Sequence, residues 1–179
     1  SGGRLRLGVG LGWNEVEYVA LGEDFHKPGR RIDEQLEVLR RLWTEPLVVF
    51  RGREHQIDDA GLNPLPVQRP IPIWFGGHDE RVLRRAARLG DGWIPNFKSA
   101  ADAGGALEAL RAYRAEAGRD GLPFGIEARL AYGDGTPDAW RASIEAWRQA
   151  GATHISLNTM GAGLATADAH LRAIRKFAE

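Results

Sequence analysis

No cysteine occurs among the 179 residues. The core must therefore form by apolar burial without disulfide staples, which a chain of this length with 43% apolar residues can do. A single domain over residues 1–179 is expected. Net charge is also lacking: 24 basic residues balance 24 acidic ones. No global field then favours phosphate backbones or anionic lipid, which argues against nucleic acid and membrane partners. The apolar runs are far too short for a membrane span, and the chain opens without the basic and apolar regions of a signal peptide. A cytoplasmic location is expected.

Other motifs are missing too. His26, His55, His78, His154 and His170 show no paired spacing, so no metal site is expected. There is no G-x-S-x-G nucleophile elbow and no G-x-x-x-x-G-K phosphate loop. Asp58 and Asp59 are adjacent, which in an extended chain turns them to opposite faces and makes a working carboxylate pair improbable.

What is present is alternation of strand and helix. Residues 4–10 alternate apolar and polar, a strand period. Asn14 and Glu17 resemble a capping box for a helical turn ending at Gly22. Ile32, Leu36, Leu39 and Trp43 form one stripe of a helix over 28–43. The segment 46–70 reads as an inserted hairpin around residues 51–54 followed by a Pro-rich stretch.

From there strand and helix alternate strictly. A buried strand over 71–75 leads through Gly76 and Gly77 into a helix carrying Val82, Leu83, Ala86 and Leu89 and ended by Gly90. "DGWIPNF" is a strand, Ser99 caps a helix reaching Gly118, and "FGIEARLAY" is the next strand. Thr136 and Pro137 start a helix bearing Trp140, Ile144 and Trp147 and closed by Gly151; a strand over 153–159 and a helix through Leu171, Ile174 and Phe177 finish the chain.

Five strand-then-helix units imply a parallel sheet with helices outside. Length favours a doubly wound open sheet, because a (β/α)8 barrel needs about 250 residues. The opening "SGGRLRLGVGLGWNE" opposes this: the third glycine, Gly12, falls one place too early for a dinucleotide fingerprint, and Trp13 stands where that glycine belongs.

"SGGRLRLGVGLGWNEVEYVALGEDFHKPGRRIDEQLEVLRRLW", "LNPLPVQRPIPIWFGG" and "LRRAARLGDGWIP" resemble the bacterial luciferase-like monooxygenase family, and within it the branch that uses the deazaflavin coenzyme F420. The resemblance is dense to about Phe97 and looser through "GATHISLNTMG" and "AIRKFAE". It implies an α/β fold of the (β/α)8 TIM-barrel type, with about five βα units that correspond to strands 4–8. The chain would then be the C-terminal part of a longer protein, associating with the missing N-terminal segment or with a second copy.

The resemblance also implies an oxidoreductase that transfers hydride between coenzyme F420, or alternatively FMN, and a small organic substrate. Family members draw their proton-transferring groups largely from the first strands, so no catalytic residue is named, and the 179-residue chain by itself is expected to be inactive. The alternatives are a non-catalytic flavin-binding protein and a structural fragment.

Carried over position by position, the cofactor-binding candidates are Gly10, Gly12, Trp13, Gly76, Gly77 and His78. Glycine lets backbone approach a ring or phosphate, although Gly10 and Gly12 could equally serve strand packing. Gly76 and Gly77 lead to a helix N-terminus, where free amides attract an anion, or else they serve only a sharp turn. His78 could donate to a phosphate or stand in solvent; Trp13 could line the ring pocket or belong to the core. Arg81, Arg84, Arg85 and Arg88 read as the solvated face of a helix and are left out of the site.

Overall fold

The computed structural model describes residues 1–12, 14–25, 28–133 and 135–179. The backbone falls into two compact units, Ser1–Pro72 and Ile73–Glu179.

The first unit opens with a short strand, β1 (Leu7–Val9), whose Leu7 N–H donates to the Pro72 carbonyl at 2.9 Å. It is shorter than the alternation over 4–10 predicts. Helix α1 (Glu15–Ala20) starts where expected: Asn14 Oδ1 accepts the Val16 N–H at 3.3 Å, and its side-chain amide donates to Glu17 Oε1 at 3.0 Å. The pair differs from a true capping box because Glu17 meets the Asn14 side chain rather than its backbone.

Helix α2 (Pro28–Thr44) buries Leu36, Val38 and Trp43 and half-buries Ile32 and Leu39. Its companions are β2 (Val48–Arg51) and β3 (Gln56–Ala60), the predicted hairpin, with Phe50 opposite Ile57 and a bulge between Val48 and Phe50. Strand alternation puts Val48 and Phe50 inside and Val49 and Arg51 outside. Val38, which lies off the predicted stripe, is buried because it packs with Val48 and Phe50, flanked by Leu42 and Ile57. Each such fully buried side chain contributes roughly 1.5–3 kcal/mol.

The second unit holds a parallel sheet in the order β4 (Ile73–Gly76), β5 (Gly92–Ile94), β6 (Gly125–Ala131) and β7 (His154–Asn158). Each strand is followed by a helix: α3 (Glu80–Leu89), α4 (Gly104–Glu116), α5 (Pro137–Ala150) and α6 (Ala167–Ala178). Parallel neighbours need such crossovers, and helices on the sheet are why β4 reads as an unbroken apolar run.

Two local expectations shift. Ser99 does not cap α4; it closes its own turn with Asp102, and the helix begins five residues later at Gly104. On α6, Leu171 and Ile174 are 51% and 46% exposed, whereas Ala173 is buried and Phe177 meets the Trp140 ring at 5.4 Å. Helix α5 follows its signals closely. Thr136 Oγ1 accepts the Ala139 N–H, Pro137 is the first helical residue, and Gly151 ends the helix at φ +103°.

Candidate functional site

In the first unit the C-terminal end of β1 opens onto a cavity of about 370 Å3. Gly10 faces it with open space where a side chain would be: a Cβ there meets nothing within 4 Å. Leu11, Tyr18 and Ile32 line the cavity with apolar surface; Glu23, Asp24, Arg31 and Glu54 line it with charge. Gly12 has φ +74°, a conformation costly for any other residue, and a Cβ there would touch the Tyr18 ring at 3.5 Å. The Tyr18 hydroxyl donates to the Leu11 carbonyl, and its ring meets Phe25 edge-on at 5.1 Å. This ties α1 to the strand end. Trp13 lies outside the described residues.

In the second unit Gly76 closes β4 opposite Ile94, and Gly77 follows with φ +116°. Both polar groups of Gly77 are engaged: its N–H donates to the Ile94 carbonyl at 3.3 Å, and its carbonyl accepts the Trp93 indole N–H at 2.6 Å. The His78 ring stands 5.4 Å from that of Phe97. This stretch is therefore a fixed loop over the strand end, with glycine required at 77 by its backbone angle.

The helix does not open at Gly76 and Gly77 as the sequence suggests. It starts at Glu80 behind the N-cap Asp79, whose carboxylate accepts the Arg81 N–H at 2.9 Å. The side chain of a capping residue takes one of the free amides and brings its own negative charge to the positive end of the helix. Glu80 adds a second carboxylate, held below the ordinary range by Arg84 first and by the Tyr113 hydroxyl next. The N-terminus of α3 is thus already occupied by carboxylates of the chain itself.

Arg84 has a structural task. It pairs with Glu80 at 2.9 Å and Glu116 at 3.4 Å and stacks 3.9 Å over the Tyr113 ring, joining α3 to α4.

The luciferase-like monooxygenase family profile matches residues 1–176. The chain belongs to this family. Among its luciferase-like relatives, an F420-dependent glucose-6-phosphate dehydrogenase of Intrasporangium calvum is 33% identical over 154 residues, covering 81% of this chain and 46% of the relative. An FMNH2-dependent dimethylsulfone monooxygenase of Pseudomonas putida is 31% identical over 132 residues, covering 72% and 36%. The crystal structure of monooxygenase RslO1 from Streptomyces bottropensis superposes with a TM-score of 0.79 at 24% identity, covering 99% of this chain and 68% of that one.

The chain spans less than half the length of these two curated relatives. The fold expectation is met: the alternating strands and helices are those of a luciferase-like barrel, of which the chain carries a part. The relatives use F420 or FMN, as their names state, and flavin- or deazaflavin-dependent oxidoreduction is the general activity of this luciferase-like chain's family. Among the described residues no helix is long and apolar enough to cross a membrane, and no cluster of His, Cys, Asp and Glu could hold a metal.

Of the expected site residues, Gly10 lines the cavity, Gly12 adopts a glycine conformation beside it, and Gly76, Gly77 and His78 form one loop at the end of β4. Sequence reasoning missed Tyr18, Arg31 and Glu54 as cavity residues. Tyr18 and Arg31 could have been found from their places one turn into α1 and α2, near the end of β1; Glu54 carried no signal, since a hairpin turn residue reads as solvated.

Proposed function

We propose that this chain is the flavin-binding portion of an oxidoreductase that moves a hydride between coenzyme F420, or alternatively FMN, and a small organic substrate. The observation that carries the reading is the Gly76–His78 loop: a strand-end backbone at φ +116°, locked by Trp93 and Ile94, with an imidazole directly after it. Barrels of this type place their active sites at the C-terminal ends of the strands. In such a site the bound cofactor supplies the hydride chemistry, and the protein binds and orients it.

On this reading the Gly76–His78 loop holds the cofactor phosphate, and Gly10 and Gly12 leave room for a ring. The protein then acts in the cytoplasm on a small-molecule substrate. The barrel is completed by a preceding segment or by a second copy.

Fluorescence titration of the 179-residue chain with coenzyme F420 and with FMN tests this. Saturable binding is expected, tighter for F420, with His78→Ala weakening it by about tenfold, the size of one lost charge-assisted contact. Binding without turnover is expected, because the family resemblance implies proton-transferring groups drawn largely from the first strands of the barrel. Failure of both cofactors to bind would leave the structural-fragment reading in its place.

A further inference from the structure

Within the second unit, strands β6 and β7 have two unlike faces. One carries Ala128 and Leu130, both buried, with Ile155 and Leu157 beside them in register. The other carries Glu127, Arg129 and Ala131 on β6 and, in register with them, His154, Ser156 and Asn158 on β7. A parallel sheet is ordinarily covered on both faces, and the inner layers of a barrel are filled with branched apolar side chains. A row of charged and polar residues beginning on β6, which has strands on both sides, is therefore no part of such a core.

The row changes character along the strands. At its start the Trp74 ring, 4% exposed, fills the space that side chains on Gly92 and Gly125 would take and lies with its centre 5.1 Å from that of His154. Apolar bulk thus closes this end. Glu127, beside His154, has a partner of its own. Two residues further on, Arg129 is exposed, and its guanidinium pairs with no carboxylate among the described residues. Ser156 stands next to it. Asn158 Oδ1 accepts the Met160 N–H at 3.0 Å, which fixes the carboxamide and leaves its NH2 group to donate. Ala131, opposite Asn158, adds no bulk.

Register neighbours stand about 4.8 Å apart, and residues two along a strand about 6.6 Å apart. A guanidinium, a hydroxyl and a carboxamide, each able to donate, fall within that span. Such a set matches an oxyanion: the guanidinium offers parallel N–H groups to a carboxylate or phosphate, and the neutral donors reach its other lone pairs. The row leads to the C-terminal ends of the strands, where Gly76 closes β4. From β4 to β6 is two strand spacings, about 10 Å, so an anion at Arg129 is distinct from one at the Gly76–His78 loop.

We propose that Arg129, Ser156 and Asn158 form the anion-binding part of the substrate pocket and take the carboxylate or phosphate of a small organic molecule. That the molecule is the substrate rests on the oxidoreductase reading above. The preference for an anion rests on the strand pair alone.

Glycerol, glycerate and glycerol 3-phosphate, one skeleton in different charge states, provide the test. They are titrated into the whole chain while the amide resonances of Arg129, Ser156 and Asn158 are followed. At least one of the two anions is expected to half-saturate at a concentration at least about tenfold below that of glycerol, the size of one charge-assisted hydrogen bond. The tighter anion identifies the group as carboxylate or phosphate. Arg129→Gln, a change at an exposed position, should abolish the preference and leave the melting temperature unchanged; Arg129→Lys, which keeps the charge without the fork, should retain part of it. Ser156→Ala should reduce it about threefold. No shift with either anion, glycerol binding as tightly as both, or a preference that survives Arg129→Gln overturns the proposal.

The titration is repeated on the chain saturated with whichever of F420 and FMN binds. A preference that persists upholds a substrate site apart from the cofactor; one that disappears gives Arg129 to the cofactor phosphate and overturns the assignment. An anion preference in a chain that binds neither cofactor upholds the anion site and removes the oxidoreductase reading.

Discussion

The Trp74 indole occupies the space that a side chain on Gly125 would need: a Cβ built at Gly125 falls 2.1 Å from Trp74 Cη2. Gly92, between them in the sheet, is in register with both, and a Cβ there would fall 2.3 Å from the same ring. One tryptophan thus crosses two neighbouring strands, and both strands start on glycine because of it. The His154 ring stands nearly perpendicular to it with ring centres 5.1 Å apart, extending the contact to β7.

Gly125→Ala should destabilise the protein by about 1–3 kcal/mol, since the clash is with a rigid, buried ring. Chemical denaturation checks it. Pairing the change with Trp74→Leu should recover part of the loss, and strictly additive losses would show that the ring is not the obstacle.

Arg114 is 7% exposed, and its Nη2 donates to the Arg119 and Leu122 carbonyls at 2.5 and 2.7 Å while the guanidinium stacks 4.2 Å over Phe124. Burial pushes its pKa down from the usual arginine range. Arg114→Ala strands two carbonyls of the loop that leads into β6 and should cost about 1–3 kcal/mol. Arg114→Lys should recover only part of this, because an ammonium can donate to both carbonyls but has no planar face to stack on the Phe124 ring. Melting curves of the two variants decide the point.

Glu34 carries a pH dependence. Desolvation pushes its carboxyl up, but the His55 ring and the backbone N–H groups of Arg53, Glu54 and His55 outweigh it and hold the pKa below 4.5. A carboxylate whose folded pKa is depressed adds stability above the unfolded value and loses it as pH falls through the folded one. Exchange protection of the amides at 53–55 should therefore be constant above about pH 5 and fall in more acidic solution. In Glu34→Gln the protection should be low at every pH.

Glu145 is lowered to about 2, first by Arg148, which reaches it through Nε at 2.8 Å and Nη2 at 2.9 Å, and then by Gln149. Carboxyl carbon NMR should show the midpoint near 2 and a return toward 4.5 in Arg148→Ala. The melting temperature should hardly change, since an exposed pair on a helix contributes little to stability.

Residue pattern alone determined the order of elements, the hairpin within 46–70, the ends of α5 at Thr136 and Gly151, and the family motifs around Gly10 and Gly76. Such features are local: a cap, a left-handed glycine or a period of two or 3.6 is decided within a few residues. Tertiary structure decided what those neighbours cannot. Ser99 lost α4 to a turn with Asp102, and Asp79 moved the start of α3 past Gly77, because both depended on which side chain reached which amide. Val38 is buried because a hairpin ten residues on packs against it. The Glu34 anchor joins residues about twenty apart, and the glycines at 92 and 125 are required by a ring on another strand. Contacts across that distance have no period to betray them, since they exist only once the chain is folded.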